Sequence, residues 1–140
     1  MSNYIFRCLA GLVLVSWLPA ALAAGPFDGS KPLLCAAIHA AECSTAELKC
    51  ESGPPWLVNF PVFTEIDFAA GTASTTRQNL TARTTRIEQV SHLANNRMSL
   101  QGSDGEFSWS MMISEETGSM TLAVAGEEVG FIVMGACTLR

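Results

Sequence analysis

Large apolar residues recur at every second position over 107–114 and again over 119–125, mostly between small or polar ones, with a glycine-containing turn between the two stretches. Side chains of a β-strand point alternately to opposite faces of the sheet, so this pattern predicts two neighbouring strands that each bury one face. The last stretch, Val129–Cys137, is apolar at nearly every position. It predicts a strand that is buried on both faces.

The same period of two recurs earlier in the chain. Val62–Phe68 alternates clearly, and Arg86–Leu93 and Arg97–Gln101 are predicted to form shorter strands. Thr72–Arg86 is rich in Thr, Ser and Arg, a composition suited to exposed strands or to a mobile loop. Leu33–Cys43 fits a helix by its alanines and a strand by its alternation; we favour the strand because the rest of the chain is strand-like.

Short strands joined by turns every eight to twelve residues are typical of an all-β sandwich or barrel. We therefore predict a small antiparallel barrel or sandwich of about eight strands in meander order, forming a single domain over residues 24–140. An open meander would leave the apolar segment Val129–Met134 as an exposed edge that invites aggregation. Pairing of the last strand with the first would remove that edge.

Residues 1–23 have the form of a secretory signal peptide. A short polar start precedes an apolar run from Cys8 to Leu18, and Ala21-Leu22-Ala23 is a small-x-small cleavage motif. The apolar run is too short for a retained anchor, and no later segment reaches about eighteen consecutive apolar residues. The sequence thus predicts a periplasmic or secreted bacterial protein with no stable membrane insertion after the signal is removed.

Four of the five cysteines lie outside this leader: Cys35, Cys43, Cys50 and Cys137. An even number of cysteines in an exported domain predicts two disulfides, and three pairings are possible. We favour Cys43 with Cys50, which would staple an N-terminal loop over 44–55, and Cys35 with Cys137, which would join the first strand to the last. The cysteine spacing lacks a zinc knuckle, and we predict no metal and no cofactor.

The chain is acidic, with a net charge of −5 that becomes −6 when Arg7 leaves with the leader. This balance argues against nucleic acid or an anionic membrane as a partner. Acidic residues dominate the last third of the sequence, and they either neutralise the central arginines on neighbouring strands or create a dipolar surface that steers a charged partner. The arginines that are candidate binding residues are Arg77, Arg83, Arg86 and Arg97.

Trp56 follows Pro54-Pro55 in the predicted stapled loop and is a candidate binding anchor. Trp109 alternates with interior residues and is expected in the core, as are Met111, Met120 and Met134. No catalytic residues are predicted, because the chain has no G-x-S-x-G motif and its cysteines are expected to be oxidised. A small enzyme that uses Glu65, Asp67 or His92 is the alternative.

Several segments resemble a family of small exported proteobacterial proteins that has no assigned activity. They are Phe27–Cys35, Pro61–Phe68, Trp109–Met111, Thr117–Leu122 and Gly135–Cys137. The resemblance implies an exported, cysteine-stapled domain and transfers no functional residue. Gly105–Leu122 is also similar in architecture to periplasmic barrels that inhibit lysozyme, although the tyrosine and lysine on which those inhibitors usually rely are absent near Trp109.

We therefore expect an exported, non-enzymatic binding or interaction domain whose partner is an unknown periplasmic protein or small ligand. An inhibitor of a cell-wall hydrolase such as lysozyme is a second interpretation, and the small enzyme is a third.

Overall fold

The computed structural model describes residues 25–76 and 82–140, so the predicted signal peptide lies outside the described residues. The described chain is built from β-strands and one short 3₁₀ helix, Pro55–Val58. The strands are β1 (Leu33–Ser44), β2 (Lys49–Gly53), β3 (Phe63–Asp67), β4 (Thr72–Thr76), β5 (Arg83–Leu93), β6 (Arg97–Ser103), β7 (Ser108–Ser114), β8 (Ser119–Ala125) and β9 (Val129–Leu139). The predicted all-β class is confirmed, and the segment that begins at Leu33 is a strand.

Eight strands form a closed antiparallel barrel. The hydrogen-bonded order runs from β1 to β3 and then consecutively to β9, and β9 pairs with β1 to close the wall. The first half of β1 pairs with β3 and its second half pairs with β2, which is an extra strand beside the barrel. The pairing of β9 with β1 provides hydrogen-bond partners for the backbone groups at both edges of the meander, as expected from the apolar last strand.

Both favoured disulfides are present. Cys35 and Cys137 lie directly opposite each other on β1 and β9, and their buried disulfide crosses the closing seam inside the barrel. Cys43 and Cys50 link β1 to β2 in the same directly opposed way. The disulfide staples the predicted segment over 44–55, but part of that segment is a strand and not a loop. Lys49–Gly53 pairs with β1, because β1 extends past β3 and offers free hydrogen-bonding groups there.

The core lies inside the barrel and follows the alternation of the strands. Inward side chains from most strands are fully buried, including Leu33, Ile66, Met98, Leu100, Ile113 and Val133. Met111 and Met120 are also buried, as predicted.

The outer face of β9 contradicts the sequence interpretation. Val133 is fully buried, yet Ile132 is 49% exposed and Met134 is 50% exposed. The predicted burial of both faces, and with it the core position of Met134, is wrong, because the barrel wall is one layer thick and none of the described residues forms a second layer over this face.

The two ends of the barrel differ. Residues 25–32 lie across one end, where Phe27 packs against the core and its N–H donates to the Glu115 carbonyl oxygen at 3.1 Å. Gly118, which has a φ of 71°, makes room for this arm, since a Cβ there would lie 2.9 Å from the Phe27 ring. In the same arm, hydrogen bonds from the Ser30 hydroxyl and backbone N–H lower the pKa of Asp28. At the opposite end, which is formed by the end of β4, the start of β5 and the turns 104–107 and 126–128, the described residues leave a cavity open.

Candidate functional site

A cavity of about 170 Å³ extends into the barrel from the open end. Inward side chains of β3, β4, β5, β7, β8 and β9 form its wall, so it is a continuation of the core that the side chains do not fill. Its apolar lining consists of Phe60, Pro61, Ala73, Phe107, Trp109, Met111, Leu122, Val124 and Phe131. Its polar lining consists of Thr64, Thr75, Arg83, Thr85 and Asp104.

Four aromatic rings shape the cavity. Phe60 and Phe131 pack in a tilted arrangement with ring centroids 5.6 Å apart. The Trp109 indole N–H donates to the Thr85 hydroxyl oxygen at 3.3 Å, and the Thr85 hydroxyl donates to the Ser103 carbonyl oxygen at 2.7 Å. This chain of hydrogen bonds satisfies the polar atom of the indole and fixes its ring against the cavity.

Arg83 lies at the rim of the cavity in contact with three side chains of the turn between β6 and β7. Its Nε is 2.9 Å from Asp104 Oδ2 and one terminal nitrogen is 3.5 Å from Glu106 Oε2. The guanidinium carbon also lies 5.8 Å from the centroid of the Phe107 ring. Asp104 Oδ1 accepts the Phe107 N–H at 3.0 Å, so one carboxylate both shapes the turn and holds the arginine.

Of the other candidate arginines, Arg86 and Arg97 do not join Arg83 at the rim. Arg86 is exposed on the outer face of β5. Arg97 begins β6, about 20 Å along the strand from the Ser103 position that pairs with Arg86. Arg77 lies outside the described residues. For Arg83 the structure supports neutralisation by acidic residues of a neighbouring turn, one of the two interpretations of the charge pattern.

Trp56 is 71% exposed on the 3₁₀ helix and does not line the cavity. Pro55 and Val58 of the same helix are buried, so they anchor the helix while the indole points outward. Its role as a binding anchor stays a prediction.

The three residues of the enzyme alternative have separate structural partners. Glu65 forms an ion pair with Arg140, and Asp67 Oδ1 accepts the Ala70 N–H at 2.9 Å in the turn after β3. His92 Nδ1 lies 2.5 Å from Glu115 Oε1, at the end of the barrel opposite the cavity. None of the three lines the cavity.

Over 25–76 and 82–140, the structure places no group of three or more His, Cys, Asp or Glu side chains where it could hold a metal ion. A search of the same ranges for a helix of membrane-spanning length and hydropathy finds none.

Sequence reasoning missed the cavity, although it placed Phe107, Trp109 and Met111 on an inward face. The alternation identifies which side chains point inward, and the unfilled volume depends on how strands from distant parts of the sequence converge. Phe60 and Phe131 carried no signal that assigned them to a site.

Fold and site together define a closed, disulfide-stapled antiparallel barrel with an apolar cavity at one open end. No protein-family model and no curated protein sequence matches this chain. The resemblance to exported proteobacterial proteins therefore stays a prediction.

Proposed function

We propose that this protein is an exported, non-enzymatic binding domain that takes a small, largely apolar ligand into the open end of its barrel. The observation that carries the proposal is the cavity of about 170 Å³ with aromatic walls and few polar groups. Small-molecule sites are typically concave and apolar, with a few polar groups that orient the ligand.

The size of the cavity limits the ligand. A buried apolar cavity of about 150 Å³ is large enough to bind benzene, whereas drug-sized ligands fill about 300–1,000 Å³. The part of the ligand that enters the barrel is therefore a single ring or a chain of about six carbons. The remainder of the ligand would lie at the rim, beside Arg83, Asp104 and Thr75.

The way the cavity is held supports a preformed site. The wall closes through the β1–β9 pairing, and the Cys35–Cys137 disulfide fixes that seam from inside. A preformed cavity lowers the entropy lost on binding. The two disulfides also fit an oxidising compartment, and with the predicted leader they support a periplasmic or secreted location.

Tryptophan fluorescence tests the proposal. In a Trp56→Phe protein, Trp109 is the one remaining tryptophan among the described residues, so its emission reports on the cavity wall. We expect 1-octanol to produce a saturable change in this emission. Ala73 is buried on β4 and lines the cavity, and Ala73→Leu in the same background fills space that the alkyl chain needs. We expect that variant to bind at least tenfold more weakly.

Ala123→Leu is the matched control, because Ala123 lies on the outer face of β8 and the same atoms are added outside the cavity. It should bind octanol as the parent protein does. Val124→Phe provides a second blocked cavity if Ala73→Leu does not fold, as judged by circular dichroism. An emission that does not saturate, or equal affinity in the blocked and parent proteins, would overturn the proposal.

A further inference from the structure

At the rim of the cavity, acidic side chains bind a cationic group of the protein itself. The Arg83 guanidinium lies against the carboxylates of Asp104 and Glu106 and over the face of the Phe107 ring. Carboxylates combined with an aromatic face form a favourable environment for a positively charged group. The side chain of Arg83 is 51% exposed, so this internal cation is held at the surface and can move aside.

Among the described residues, the two turns at the rim carry more negative charge than Arg83 neutralises. The turn 104–107 carries Asp104 and Glu106, and the turn 126–128 at the same end carries Glu127 and Glu128. These two turns contain no Lys or Arg. Over the described residues of these two turns and of the adjoining ends of β4 and β5, four carboxylates lie near one guanidinium. This excess of negative charge attracts cations and repels anions.

The apolar cavity and this acidic rim together favour a ligand that has both an apolar part and a charged head group. An apolar group that fills the barrel end leaves the head of the molecule at the level of Asp104 and Thr75, both of which line the entrance. An anionic head would meet two carboxylates there. A cationic head would take the place of the Arg83 guanidinium on the same carboxylates.

On these grounds we propose that the site selects small amphiphiles with a cationic head group, of the primary alkyl- or arylalkylammonium class, and that Arg83 competes with the ligand for Asp104 and Glu106. This inference rests on the proposed function, because it requires the cavity to take the apolar part of the ligand. The Arg83–Asp104 pair is partly exposed, and such pairs are weak enough for a ligand cation to replace them.

Three probes with the same eight-carbon chain separate head-group preference from cavity binding: octylammonium, 1-octanol and octanoate. Affinities are measured at pH 7 and low ionic strength through Trp109 emission in the Trp56→Phe protein. We expect octylammonium to bind at least tenfold more tightly than octanoate, with octanol between them. The difference should shrink in 0.5 M NaCl, since salt screens exposed charges.

Variants of the rim provide the second arm. Glu106→Gln should weaken octylammonium binding several-fold, and Arg83→Met should strengthen it several-fold, because the methionine retains an unbranched apolar side chain without the competing charge. Glu106→Gln should leave octanol binding unchanged, because Glu106 does not line the cavity. Glu116→Gln is the matched control, since Glu116 is an exposed carboxylate on the turn at the opposite end of the barrel and is hydrogen-bonded to Asn96.

The outcomes distinguish the two proposals. Octanol binding without a preference for octylammonium, or loss of octanoate binding in Arg83→Met, would overturn the cation inference and leave the apolar site intact. Absence of saturable binding by all three probes would overturn both. If Arg83→Met does not fold, Glu106→Gln and the salt dependence decide the question.

Discussion

At the scale of single residues, Gly102 determines where the Trp109 ring lies. A Cβ on Gly102 would be 2.3 Å from the Arg86 carbonyl oxygen and 2.5 Å from Cζ2 of Trp109. The indole occupies the space that any other residue would fill. Gly102 therefore helps to build the cavity wall although it contributes no side chain to it.

We expect Gly102→Ala to destabilise the protein by about 1–3 kcal/mol, the usual cost of an extra methyl group in a packed region. The methyl group must move the indole or open the pairing between β5 and β6, so Trp109 emission should shift to longer wavelength. Chemical denaturation of the Trp56→Phe protein with and without the glycine change measures both effects.

Gly130→Ala is the control for this change. Gly130 also lies in a strand, and a Cβ there meets its nearest atom, the Val124 carbonyl oxygen, at an ordinary 3.6 Å. That variant should keep the parent stability and emission. Equal stability of the Gly102→Ala and parent proteins would show that the indole does not lie against Gly102.

At the scale of elements, the β1–β9 seam holds the barrel closed, and its disulfide spans 102 residues of chain. The Cys43–Cys50 disulfide spans seven and fastens β2, which lies outside the barrel. A cross-link that closes a longer loop removes more entropy from the unfolded chain, so the two disulfides should differ in their effect on stability.

We expect the double variant Cys35→Ala, Cys137→Ala to lose about 4–5 kcal/mol, and Cys43→Ala, Cys50→Ala to lose under about 3 kcal/mol. Denaturant unfolding monitored by circular dichroism compares the two. Intact mass before and after reduction verifies the oxidation state, since reduction of the parent adds four hydrogens. A larger loss from the outer pair would contradict the assignment of the seam as the main closure.

A strand could be predicted from the sequence where one of its faces is buried, because burial of one face produces the alternation of apolar and polar residues. The alternation of apolar and polar residues located β7 and β8 closely. The need to protect the apolar last strand, together with the number of cysteines, predicted the pairing of β9 with β1. The extra strand β2 was missed because its residues, KCESG, are nearly all exposed and carry no alternation. The prediction that both faces of β9 are buried was wrong because Ile132 and Met134 are apolar yet exposed. At these positions an apolar side chain does not indicate burial.

At the scale of the whole molecule, the barrel is asymmetric. The arm over 25–32 packs across one end, and the described residues leave the other end open into the cavity, with Arg83 and acidic turns at its rim. This asymmetry depends on where the arm, the turns and the strand ends meet. Local sequence patterns do not show where these parts meet. The four arginines were therefore predicted as one group, whereas of the three described arginines only Arg83 reaches the rim.

Nuclear magnetic resonance tests the central claim most directly, because it shows where a ligand contacts the protein. We predict that 1-octanol shifts the indole N–H of Trp109 and the amides of Thr85 and Leu122, while the amides of Ala123 and Ile132 on the outer face and the indole of Trp56 stay in place. Shifts confined to Trp56 or to the outer face of β8 and β9, with Trp109 unchanged, would contradict a binding site inside the barrel.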